Sequence, residues 1–138
     1  MRISFDTQCD FLPDNTNALQ KWLVRVAQEK GKIINGVDFI FCTDAYLLDI
    51  NKRFLNHDYF TDIISFDYSD SNALIGEIYI SVDRVRENAA TYNIDFNVEL
   101  YRVIVHGILH FCGLKDGTDD EKQHMRNEED KALSLLSF

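Results

Sequence analysis

His106 and His110 stand four residues apart in the apolar segment Leu100–Phe111, and Gly113 and Asp116 follow at three-residue steps. This pattern, H-x-x-x-H-x-x-G-x-x-D, dictates much of what the chain can become. Spacing i, i+4 stacks two side chains on one face of a helix, so both imidazoles can reach a single ion at roughly 2.0–2.1 Å. A glycine three residues on readily takes the left-handed conformation that ends a helix and turns the chain back. That turn returns Asp116 toward the pair. Metzincin-type sites share this ligand spacing. Two histidines on an apolar helix also arise as core residues bonded to carbonyls. Gly113 and Asp116 at the further spacings, with a helix-starting Thr118 just after, favour a metal site.

Two neutral imidazoles and one carboxylate form a catalytic zinc set, and three protein ligands leave a fourth position for water. Water on such an ion acidifies toward a pKa of ~7 and becomes a nucleophile at neutral pH. His106, His110 and Asp116 are therefore expected to hold one zinc ion with water as the fourth ligand. The chain reads as a small metal-dependent hydrolase. Asp116 lowers the net positive charge there, making the ion a weaker Lewis acid than a three-histidine site would. Proteases of this spacing place a glutamate directly after the first histidine as general base. Here that residue is Gly107, which cannot take a proton, so peptide cleavage of the usual kind is not expected. No general acid or base is identified. Gly107 also costs about 1 kcal/mol of helix propensity, which predicts close packing against its backbone.

The rest of the chain reads as strands early and in the middle, with helices dominating the end. Ile3–Phe5 alternates into a short strand, and a helix after Pro13-Asp14 carries Leu19, Leu23 and Val26 at helical spacing with Trp22 on a flank. Val37–Cys42 reads as a buried strand. Thr43 caps a helix to about Phe54, with Leu47, Leu48, Ile50 and Phe54 as its apolar face. Thr61–Phe66 and Leu74–Val82 form two strands, joined as a hairpin through the turn-prone Tyr68–Asn72. Helices follow over Arg84–Tyr92, from Asp95 or Asn97 to about Cys112, and from the Thr118/Glu121 capping box to about Leu136. The order predicts an α+β fold, one domain over residues 1–138. A chain of 138 residues with 46% hydrophobic side chains can build one core without staples.

The formal charge is −9. Lys and Arg number 7 against 8 Asp and Glu over residues 1–60, but 7 against 15 over residues 61–138. That balance argues against broad adhesion to nucleic acid or to anionic membrane, while leaving room for a local basic cleft. Cys9, Cys42 and Cys112 form an odd set without C-x-x-C spacing and read as buried reduced thiols. No basic start followed by an apolar run is present, and no stretch approaches ~18 consecutive apolar residues. A cytoplasmic location is expected.

Taken together, the motifs resemble the YbeY-type bacterial endoribonucleases that mature ribosomal RNA. The run from His106-Gly107 through Leu109-His110 and Gly113 to Asp116 follows that family's H-G-x-L-H-L-x-G-x-x-H signature. Ile50-Asn51, Asp58 and Thr61-Asp62-Ile63-Ile64-Ser65-Phe66 follow its second motif, and Gly76-Glu77-Ile78 stands for its Gly-Asp-Ile. Asp119-Asp120-Glu121 and Met125 fit its last helix. Two departures stand out. The third ligand of the family is usually histidine, and here it is Asp116. An arginine important for activity in the family is Leu55 here, and Lys52, Arg53 or His57 are candidates for the missing positive charge in an RNA cleft.

What the resemblance implies is a small mixed β-sheet of about four strands flanked by helices, with the metal-bearing helix beside a cleft. It also implies zinc, cleavage of single-stranded RNA, and a part in maturing small-subunit ribosomal RNA and in ribosome quality control. The ribosome or its proteins then become expected partners; DNA and membranes do not. The acidic face Asp119–Asp130 is expected to point away from the cleft. Two other readings stay open: an assembly factor whose metal is structural, for which no fourth ligand is obvious and His124 is a candidate that reads better as a surface residue of the last helix, and a metal hydrolase of another substrate.

Overall fold

A computed structural model describes residues 2–136. The chain runs β1 (Arg2–Thr7), α1 (Thr16–Glu29), β2 (Ile33–Cys42), α2 (Asp44–Leu55), β3 (Ile63–Asp67), β4 (Ala73–Ser81), α3 (Val82–Tyr92), α4 (Phe96–Phe111) and α5 (Asp119–Ser134). The four strands form one sheet in the order β1-β2-β4-β3. β1 and β4 flank β2 in parallel, and β3 runs antiparallel along the outer side of β4. The expected α+β architecture with a small mixed sheet is the one observed.

Alternation along the strands splits the apolar residues between two faces, because successive side chains point to opposite sides of a sheet. Ile3, Val37, Phe39, Phe41, Ile78 and Ile80 pack with Leu19 and Leu23 of α1 and with Leu100, Ile104 and Ile108 of α4 in the main core. The opposite face is smaller. There Cys42 and Ile64 pack with Leu47 and Ile50 of α2, flanked by Phe66 and Tyr79. Burying a Leu, Ile or Phe side chain fully contributes about 1.5–3 kcal/mol, so the face bearing α4 is where the fold is most tightly held.

The structure departs from the sequence reading in detail. β2 begins at Ile33 and not Val37, since Ile33 and Ile34 pair with Ala73 and Leu74 of β4. Val82 opens α3 in place of ending a strand, capped by the Ser81 hydroxyl, which accepts from Arg84 N at 3.1 Å. Phe54 lies outside the apolar face predicted for α2: it is 66% exposed, its ring set edge-on to Phe66. The three thiols are free; Cys42 is buried, and Cys9 and Cys112 are half-buried. Among the described residues no helix is long and apolar enough to cross a membrane.

Helix α4 is buried along almost its whole length, and two close approaches explain its seating. A methyl group on Gly107 would stand 2.8 Å from Ile78 Cδ1 and 3.2 Å from Ile63 Cδ1. On β4, a methyl on Gly76 would stand 2.3 Å from the Phe66 carbonyl oxygen and 2.7 Å from the Phe111 ring. Glycines at both positions let the helix lie directly on β3 and β4. The packing expected at Gly107 is therefore present.

Candidate metal centre

His106 and His110 project from the last two turns of α4, ring centroids 4.6 Å apart. The helix then ends in a Schellman motif: Gly113 N donates to the His110 carbonyl at 2.9 Å and Leu114 N to the Leu109 carbonyl at 3.1 Å. Gly113 has φ 103°, a conformation a side chain would strain. The turn carries the chain back across the helix end. Asp116 Oδ2 thereby comes to 3.3 Å from His106 Nε2 and 3.3 Å from His110 Nε2. One donor atom from each of the three residues lies within 4.8 Å of the others. Bonds of roughly 2.0–2.1 Å place the corners of a tetrahedron about 3.3 Å apart, so the two measured edges suit a single small cation.

The outer nitrogens of both rings are engaged. His106 Nδ1 lies 2.6 Å from Glu129 Oε2, and His110 Nδ1 lies 2.9 Å from the Leu114 carbonyl oxygen. A carbonyl only accepts, so His110 donates from Nδ1 and turns the lone pair of Nε2 toward Asp116. A carboxylate beside His106 Nδ1 has the same effect, the arrangement that fixes tautomer and ring orientation in metal sites. The Gly113 turn thus does two things: it returns Asp116 and supplies the acceptor that orients His110.

Glu129 is held in turn. Its Oε1 accepts from Arg102 Nη1 at 2.9 Å, and Arg102 Nη2 donates to Asp130 at 2.6 Å. Arg102 sits one helical turn before His106 on α4, so a single carboxylate from α5 spans both. Burial works against a charged Glu129, but the hydrogen bonds and charges of His106 and Arg102 outweigh it and hold the carboxyl below its ordinary range. Burial likewise opposes protonation of His106, and its hydrogen bond to Glu129 with the charges of Glu129, Asp116 and Asp62 hold the ring above its ordinary value. The expectation that Asp119–Asp130 points away from the cleft is corrected here. Glu129 faces into it, because it shares a helical face with the buried Met125 and Ala132. That spacing was the available signal.

Beside the three donors lies an open cavity of about 430 Å³ between α3, α4, α5 and the start of β3. Arg102, Arg126, Glu99, Asp62, Asn88 and Tyr92 contribute to its walls. Burial pushes the carboxyls of Asp62 and Glu99 up. Lys52, Arg53 and His57 do not line it. Lys52 pairs with Asp58 at 3.4 Å, Arg53 with Asp49 at 3.6 Å, and the His57 ring stacks on Tyr59. The cations of this cavity come from α4 and α5 and not from the end of α2. His124 is exposed on α5 and lies outside the three-residue group.

The family model for endoribonuclease YbeY matches residues 4–137. The chain is 45% identical over 134 residues to the endoribonuclease YbeY of Christiangramia forsetii, covering 97% of this chain and 94% of that one. To the endoribonuclease YbeY of Phocaeicola vulgatus it is 41% identical over 137 residues, 99% of each. A solution structure of a Thermotoga maritima protein superposes with a TM-score of 0.70 at 24% identity, covering 98% of this chain and 89% of the other, a likeness of fold.

Proposed function

Because this chain belongs to the YbeY endoribonuclease family, we propose that it is a zinc-dependent endoribonuclease that cuts single-stranded RNA during small-subunit ribosomal RNA maturation. On this reading it works in the cytoplasm, with the ribosome or its proteins as partners. The convergence of His106 Nε2, His110 Nε2 and Asp116 Oδ2 carries the metal assignment. The donor set suits zinc, two neutral imidazoles and one carboxylate. When bound there, the ion acidifies water and polarises a phosphoryl oxygen.

The chain's own residues do the rest. Glu129 and the Leu114 carbonyl take up Nδ1 of the two rings, so that each neutral imidazole would present its Nε2 lone pair to the ion. Asp116 lowers the local positive charge. Gly107, placed where a metalloprotease carries its glutamate, offers no base for peptide cleavage and brings α4 against Ile78. Unpaired RNA suits an open cavity of this size, since its phosphates and bases splay apart. A structural ion would take four protein donors. The group here supplies three, and Glu129 is turned to the far nitrogen of His106, which favours the catalytic reading over a non-catalytic assembly factor.

The test is cleavage of a labelled single-stranded RNA by the zinc-loaded protein. Activity is expected to vanish with chelator, return with zinc and disappear in His106→Ala. RNA cut equally well by His106→Ala would overturn the metal-centred mechanism.

A further inference from the structure

A strand of RNA approaching this cavity meets the carboxylates of Asp62, Glu99, Asp116 and Glu129, each repelling a phosphate. Two arginines stand in the same walls. Arg102 is engaged: its side chain is 13% exposed and it pairs with both Glu129 and Asp130. Arg126 lies one turn before Asp130 on α5, the spacing at which the two would pair along the helix. Asp130 is instead turned to Arg102. Arg126 is thus exposed at the cavity, and among the described residues it forms no ion pair or side-chain hydrogen bond. Its field reaches across to α4: burial raises the Glu99 carboxyl, and Arg102 and Arg126 pull it down. Arg126 also stands three residues from Glu129, the group that orients His106, so it marks the wall beside the three donors.

We propose that Arg126 grips a backbone phosphate of the RNA strand, holding the substrate in the cavity as a binding and positioning contact outside the reacting centre. This inference rests on the RNA-cleaving reading above. The contact is to the sugar-phosphate chain, so it gives register along the strand and no base preference.

The test is initial-rate cleavage of a short dye-labelled oligouridylate by the zinc-loaded protein at several salt concentrations. Arg126→Gln is expected to raise KM roughly three- to fivefold with kcat unchanged. The slope of log KM against log salt should flatten by about 0.7, the value for one phosphate contact on a single strand. Arg126→Glu should raise KM further. Arg126→Lys should restore the salt slope and most of the affinity, since one phosphate accepts a point charge. Lys21→Gln, an equal charge change on α1 outside the cavity, should leave KM and slope alone. Thermal melts and zinc titrations of each variant read folding and metal loading separately. An unchanged KM and slope in Arg126→Gln, or a fall in kcat with KM unchanged, overturns the phosphate contact while leaving the endoribonuclease reading intact. Wild-type protein that does not cut RNA overturns both.

Discussion

Replacing Glu129 by glutamine removes a charge from between Arg102 and His106 while keeping the shape of the side chain. The amide has one acceptor oxygen where the carboxylate has two, so it cannot serve both Arg102 Nη1 and His106 Nδ1. Loss of such an outer partner typically costs 10–100-fold in metal affinity, and that loss is the expected result of a zinc competition titration on Glu129→Gln. Stability should fall by roughly 1–3 kcal/mol, because Arg102 keeps Asp130 but loses one buried acceptor. Unaltered zinc affinity would show that Glu129 does not orient His106. The donors themselves were readable from the sequence because their spacing is local, His106 to Asp116 within one helix end and its turn. Glu129 and Arg102 were harder to see: they meet across α4 and α5, and the local sign that Glu129 faces inward, its spacing from Met125 and Ala132, is masked by the acidic run around it. Asp119, Asp120 and Glu121 do lie in the first turn of α5, where negative charge favours the helix.

At the scale of elements, the strands and helices follow from period and caps, while the sheet order does not. The Thr118 cap, the Gly113 stop and the β3–β4 hairpin are all short-range features found where the sequence puts them, and of the two starts it offers for α4 the structure uses Asp95. The central pairing of β2 with β4 joins segments separated by α2 and β3, and no local pattern encodes it. What the sequence does mark is the seating of α4 on the β3–β4 ladder, through Gly76. A methyl there would press on the Phe66 carbonyl oxygen, which is backbone in the β3–β4 ladder and cannot move aside cheaply. Gly76→Ala is expected to destabilise by about 3 kcal/mol or more, the upper end for overpacking. It should also loosen Phe111, next to His110, and so weaken zinc binding. Gly36→Ala on β2 meets no atom within 4 Å and should be neutral or stabilising by up to about 1 kcal/mol. Urea denaturation midpoints for the pair check this, and equal losses from both would contradict the seating of α4 on β4.

For the whole molecule, metal binding and folding are one equilibrium, since the three donors converge only in the native chain. A ligand that binds the native state at a hundredfold excess over its Kd stabilises by about 2.7 kcal/mol, or roughly 10 °C in Tm for a chain of this length. The pH dependence has a sign. His106 without metal is held above its ordinary value of 6.5, chiefly by Glu129 against the opposing effect of burial. Its protonated form therefore stabilises the metal-free protein fully below pH 6.5, and that contribution fades as pH rises through the raised value. Glu129 is depressed below its ordinary 4.5 and stays charged throughout this window. Zinc requires the unprotonated Nε2, so each bound ion must displace the proton that the metal-free protein favours. The zinc-induced rise in Tm should accordingly be small at pH 6 and grow toward pH 8, as the metal-free protein loses a stabilising charge and the competing proton leaves together. Differential scanning calorimetry with and without zinc across that range measures it directly. A shift that shrinks on going to pH 8, or one retained in His106→Ala, would mean that the ion sits somewhere other than between His106, His110 and Asp116.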